Sequence, residues 1–247
     1  MSTTELVVVG VASALAMLAK SATGLGYPLV AIPILASVLG VETAVVVVTL
    51  PNAAANILVG WRTRHARSET RDVFVLSATS ALGAVIGTFV LVSAPEEPLL
   101  IVLAATVLLF VVRTVWLGDI TVSPEFARRA SPGVGVVSGV FQGAVGVSGP
   151  IVASWLYTYR LAREAYILSL SVLFLIAGAA QIATLASIGA YDTDRLVAAS
   201  VGFGPVLAVL PAGERLRERL SGPQFDRFVL GLLTIAGVSL VVRAVTG

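Results

Sequence analysis

Two stretches of the 247-residue chain combine residue types suited to holding an anion at the end of a helix. Ala22-x-Gly24-x-x-x-Pro28-x-Val30-Ala31 recurs 122 residues later as Ala144-x-Gly146-x-x-x-Pro150-x-Val152-Ala153, and each copy interrupts a strongly apolar run. Glycine permits a tight turn without a Cβ clash, and proline suits the first turn of a helix, where its missing N–H costs nothing. The N–H groups around Gly24 to Tyr27 and around Gly146 to Gly149 are then left at a tip. A helix N-terminus there carries roughly half a positive charge. Lys20, the chain's only lysine, stands just upstream of the first copy and adds a full charge, whereas its counterpart in the second copy is the neutral Gln142. The candidate binding residues are therefore Lys20, Thr23, Gly24, Leu25, Gly26 and Tyr27 in the first copy, and Gln142, Gly146, Val147, Ser148 and Gly149 in the second. The competing reading of Lys20 is a side chain that snorkels to a membrane interface.

Composition supplies the elements that must position these residues. Apolar residues make up 57% of the chain and charged residues 12%, against about 25% charged in soluble domains. With a mean hydropathy of +0.97, the chain reads as an all-α polytopic membrane protein. Met1 to Glu5 contains no basic residue, so a cleaved secretory leader is not expected. The absence of cysteine and the single histidine exclude disulfides, thiol chemistry and a His-rich metal site. No catalytic residue, metal or cofactor is expected. The net charge of +2 comes from arginines placed mainly in short loops, which read as topology signals and not as a nucleic-acid surface.

Eight apolar segments follow from charge and Gly/Pro boundaries: 6–39 (broken), 43–61, 73–92, 99–117, 133–161 (broken), 165–188, 196–210 and 228–245. Most unbroken ones approach the ~20 residues that cross a bilayer. The stretch 61–71 carries Arg62, Arg64, Arg67 and Arg71, and 213–227 carries Arg215, Arg217, Arg219 and Arg227, so both are predicted to be cytoplasmic loops. Glu96, Glu97, Asp192 and Asp194 mark two outward loops. Equivalent loops of the duplicated halves thus fall on opposite faces, which predicts two inverted repeats, 1–121 and 122–247, forming one transport domain. Each repeat is a re-entrant broken-helix hairpin followed by three transmembrane helices. The returning arms Pro28 to Leu39 and Pro150 to Leu161 are 12 residues each, roughly 18 Å against a hydrocarbon core of roughly 30 Å. The rival topology threads both broken segments straight through as kinked spans, giving eight crossings and parallel halves. Paired Gly/Pro-interrupted helices in the two halves of a membrane protein point to a transport site near the midplane.

Other polar residues admit two readings. Asn52 and Asn56 share a helical face beside Pro51 and either line a cavity or bond between helices, and Gln181 and Thr184 divide in the same way. Gly83-x-x-x-Gly87 and the series Gly135, Gly139, Gly143 read as close helix packing. Glu42 and Glu164 read as helix-entry residues, and His65 as a solvated loop residue.

The two Gly-rich motifs, each followed by proline and an apolar half-helix in halves of about 120 residues, resemble the TauE/SafE sulfite exporter family across essentially the whole chain. The resemblance implies a plasma-membrane exporter, in a prokaryotic inner membrane, of sulfite, an organosulfonate or a related small oxyanion. Its partners would be that anion and the lipid bilayer, with no nucleic acid and with room for a homo-oligomer. Tyr27 and Ser148 stand where the family's tips often carry consecutive glycines. Two alternatives remain from the residues themselves: an intramembrane enzyme acting on a lipid phosphate, and a cation-coupled importer of a small anion. A purely structural membrane partner would not require a duplicated broken helix.

Overall fold

The computed structural model describes residues 1–23, 26–69, 73–116, 123–219 and 222–246. Among these, ten α-helices and one 3-10 helix, Arg64–Glu69, account for the regular structure, and no strand occurs. In the first half they are α1 (Thr3–Thr23), α2 (Tyr27–Leu39), α3 (Val41–Arg62), α4 (Val73–Ser93) and α5 (Glu96–Trp116). The second half repeats that order with α6 (Pro124–Val145), α7 (Gly149–Tyr157), α8 (Arg163–Ser187), α9 (Thr193–Arg219) and α10 (Gly222–Thr246). Five helices, α1, α3, α4, α5 and α8, are long and apolar enough among the described residues to cross a membrane. Large apolar side chains such as Phe74 (82% exposed) and Leu109 (67% exposed) lie on the surface, as expected where lipid is the solvent. The chain is a multi-pass membrane protein.

Both predicted breaks occur where the motifs place them. Pro28 and Pro150 each fall in the first two positions of the returning helix. Left-handed backbone is supplied by Gly26 (φ 112°) before α2 and by Gly146 (φ 71°) after α6. These glycines are not equivalent in the repeat, because Gly26 aligns with Ser148, whose backbone is right-handed (φ −113°). The two turns are therefore built differently.

Several predicted boundaries are corrected. α6 starts nine residues before Gly133, because Ser123 caps it by accepting the Phe126 N–H at 3.3 Å, Pro124 opens it and Glu125 lies in its first turn. The stretch 213–227, predicted as a basic loop, is mostly helical: α9 continues to Arg219 and α10 starts at Gly222. Glu, Arg and Leu are good helix formers, so charge ended the apolar run without ending the helix. The hairpin arms are unequal. α1 has 21 residues and α2 13, so the arms measure roughly 31 and 19 Å. α7 stops after nine residues, short of the predicted Leu161.

The described helices form two compact units that interleave the halves of the sequence. The first comprises Met1–Asn52, Ala94–Leu117 and Tyr191–Gly247, and the second Ala53–Ser93 and Gly118–Ala190. In the first unit α1 lies parallel to α9, with Gly10 against Val201 and Ser13 beside Gly202, while α5 and α10 run antiparallel, with Leu108 against Gly237 and Glu96 bonded to Arg243. In the second unit α4 and α6 run parallel at close range. A Cβ on Gly83, Gly87, Gly139 or Gly143 would come within 2.0–2.3 Å of a backbone carbonyl oxygen on the facing helix. The packing reading of these glycines therefore holds.

Candidate functional site

In the first unit, the ion pairs around the turn before α9 fix where the first hairpin begins and ends. The Met1 ammonium donates to Asp194 Oδ2 at 2.7 Å, and Arg195 pairs with Glu42 at 2.9 Å and with Asp192 at 3.6 Å. The start of α1 and the start of α3 thus meet the same helical turn, so α1 and α2 together go in and come back. A threaded, kinked span would have left Glu42 at the far end from Met1. Tyr191, hydrogen-bonded to Thr49 at 2.7 Å, closes this end; burial raises its phenol pKa, and the Thr49 bond opposes that shift. The end of α2 is held by Arg243, which donates to the Ala36 carbonyl at 2.6 Å and to Glu96 at 3.2 Å. A cation is favourable at a helix C-terminus, where carbonyls lack intrahelical partners. Arg243→Ala is expected to cost about 1 kcal/mol, below the usual range for a charged hydrogen bond because solvent screens a side chain that is one-third exposed. Thermal unfolding of the purified protein in detergent measures it.

At the tip of this hairpin, Lys20 occupies the last turn of α1 and is 1% exposed. That burial does not match a side chain snorkelling along a lipid-facing surface. Tyr27 opens α2 and is fully buried. Its phenol oxygen is buried with no hydrogen-bond partner among the described residues. The start of α2 has no side-chain cap. Gly24 and Leu25, and the side chain of Thr23, lie outside the described residues.

In the second unit, the hairpin is closed by an aromatic and hydroxyl cluster. Ser131 of α6 donates to the Ala127 carbonyl at 2.8 Å, accepts the Trp155 indole N–H at 3.0 Å and bonds the Tyr159 hydroxyl at 2.8 Å. Phe126 stacks at a tilt on Trp155, with ring centroids 6.4 Å apart. The end of α7 therefore returns to the first two turns of α6. Glu164, in the first turn of α8, is hydrogen-bonded to His65, and Glu42 is paired with Arg195, so both are helix-entry residues held by a partner, and His65 is bonded although 62% exposed. Ser131→Ala removes the acceptor of the Trp155 N–H and is expected to cost about 2 kcal/mol, read as a lowered unfolding temperature.

The second tip gathers three of the predicted residues into one network. Gln142 is 3% exposed, Ser148 1% and Gln181 0%. Ser148 donates to Gln142 Oε1 at 2.9 Å, and Gln142 Nε2 donates to Gln181 Oε1 at 3.2 Å. Gln181 Nε2 reaches the Gln142 carbonyl at 3.0 Å and the Gly143 carbonyl at 3.3 Å. These are carbonyls in the last turn of α6. Ser148 precedes α7 without capping it. Gly146 and Val147 are buried beside it, and Gly149 is half-buried. Asn52 (4% exposed) and Asn56 (1%) are buried on α3, the former in the first unit and the latter in the second.

Ser131 and Trp155 had no signal in the sequence beyond their residue type, and Arg243 was marked only by its place in the repeat. Each acts through a partner on another helix or an earlier part of its own hairpin. The first tip offers one buried lysine and the second tip neutral hydrogen-bonding groups, and α1 to α8 carry Asp and Glu only in their first turns. No curated protein and no solved structure matches the chain. One family model does, over residues 9–240 and so nearly the whole sequence: the chain belongs to the sulfite exporter TauE/SafE family of membrane anion transporters.

Proposed function

We propose that the protein exports a small oxyanion, sulfite or an organosulfonate, across the plasma membrane by alternating access, with the hairpin tips as its binding elements. The observation that carries this reading is Lys20, 1% exposed in the last turn of α1. A lysine at membrane depth costs about 2.5–3.5 kcal/mol on insertion scales and is retained where it meets a partner or a cavity. The uncapped starts of α2 and α7 add backbone N–H donors. Loop charge assigns the ends of the hairpins to the two faces. The first hairpin opens beside Glu42, Glu96, Asp192 and Asp194, hence outward, and the second opens beside the arginine-rich stretch containing His65, hence inward.

With carboxylates confined to first turns in α1 to α8, that part of the chain offers no buried Asp or Glu to carry a proton. Export does not need one, because an interior-negative potential favours outward movement of a monoanion by about 2.3 kcal/mol per 100 mV. Two measurements test the reading. In right-side-out vesicles, a cysteine replacing Asp192 is expected to react with an impermeant thiol reagent and one replacing Ser68 to react only after permeabilisation; labelling of both from outside sinks the orientation. In proteoliposomes, sulfite and sulfonates are expected to saturate flux and compete with each other, and flux of carboxylates in preference to both would overturn the substrate class.

A further inference from the structure

The second tip holds its protons in a fixed order. The carbonyls of Gln142 and Gly143 can only accept, so the Gln181 amide nitrogen must face them, at 3.0 and 3.3 Å. Flipping that amide would set its oxygen against two other oxygens. Gln181 Oε1 therefore faces Gln142 and needs an N–H, which Gln142 Nε2 supplies at 3.2 Å. Gln142 Oε1 is thereby turned to Ser148 and takes its proton at 2.9 Å. All three side chains are at least 97% buried, so water does not compensate a broken link. The backbone at the end of α6 thus dictates, through two amides, that Ser148 keeps its proton on Gln142 and presents only lone pairs to a ligand.

Within the second unit, α4, α6, α7 and α8 place no charge beside this network. The charged side chains of α6, α7, α8 and α4 are Glu125, Arg128, Arg129, Arg163 and Glu164, all within the first two turns of their helices and so at the opposite end from this network. The tyrosines of those helices are Tyr157, at the end of α7, and Tyr166, which is directed to the Ala153 carbonyl at 3.4 Å. The second tip therefore adds no charge of its own to offset the desolvation of a dianion, a cost that climbs steeply with charge.

From this geometry we infer that Ser148 is a specificity-determining residue and Gln181 its positioning residue, and that together they select the singly protonated form of an oxyanion, whose own O–H donates to the Ser148 oxygen. The inference rests on the proposed function, since it concerns which form of the anion the second tip accepts. A deprotonated anion must take the proton that Ser148 gives to Gln142, leaving a buried oxygen unsatisfied. The expected penalty is about tenfold in affinity, ~1.4 kcal/mol.

The test uses the full chain in detergent or proteoliposomes, with sulfite binding and flux measured across the pH range over which sulfite takes up its single proton. Methanesulfonate, with one charge and no proton to donate, is the reference for titration of the protein itself. Hydrogen sulfite is expected to bind about tenfold more tightly than sulfite and than methanesulfonate. That preference should collapse in Ser148→Ala, return in Ser148→Thr, and collapse in Gln181→Met although the Ser148 hydroxyl is retained. Binding of all three anions without preference, or a preference unchanged in Ser148→Ala, overturns this inference and leaves the proposed function standing. Failure of the wild-type protein to bind any of them overturns the proposed function.

Discussion

Lys20→Met is expected to cut sulfite flux per inserted molecule by at least about thirtyfold, corresponding to the ~2 kcal/mol lower bound for removing one partner of a buried charged contact. Membrane insertion should be retained or improved, because the exchange removes a charge from a segment that is otherwise long and apolar enough to span. The two readouts separate the roles open to a lysine that is 1% exposed at the end of α1. A residue that only packs or anchors would change the amount of folded protein and leave flux per molecule intact. A residue that faces the anion would raise KM and lower flux at constant protein. Lys20→Arg keeps the charge but enlarges the head group in a buried position, so partial flux with altered preference among sulfonates is the expected companion result.

Gly139→Ala is expected to destabilise the protein by about 3 kcal/mol or more, beyond the usual range for an added methylene. The new Cβ would sit 2.0 Å from the Ser80 carbonyl oxygen and 2.8 Å from the Ala84 nitrogen. Those atoms are backbone of α4, so no rotamer change relieves the contact and the two helices must separate. Gly143→Ala meets the Ala84 oxygen at 2.3 Å and should behave alike. Separation of α4 from α6 would also shift the end of α6, which carries Gln142 and Gly143, so residual folded protein should transport poorly. Gly178→Ala is the control. It is a helical glycine with nothing within 4 Å of its Cβ position, and replacing it should stabilise α8 by roughly 0.5–1 kcal/mol through lower backbone entropy in the unfolded chain. Unfolding temperatures in detergent, compared with flux per folded molecule, check all three.

Much of the helical order was legible because each boundary is a local event. Gly26, Pro28, Gly146 and Pro150 announce the breaks through backbone freedom and a missing donor, and the acidic residues Glu42 and Glu164 announce helix starts. Other features depend on contacts that no short window contains. Arg243 holds the end of α2 from 207 residues away, and Gln181 reaches the end of α6 across 39 residues. Apolar periodicity says that a helix has neighbours without naming them, so the interleaving of the halves into two compact units could not be read from it. The length of α6 was missed for a different reason: its first two turns carry Glu125, Arg128 and Arg129, and an apolar run is a poor measure of where a helix begins. At the tips, Ser148, Gln142 and Gln181 could be singled out as polar residues in apolar segments. Which of them donates to which became clear only once backbone carbonyls fixed the order.

Sulfite efflux from proteoliposomes containing the purified full chain, measured under imposed membrane potentials of either sign, tests the central claim most directly. Saturable efflux that accelerates when the sulfite-loaded interior is negative, and that external methanesulfonate slows, is the predicted result. Efflux no faster than from protein-free liposomes at any potential would contradict it.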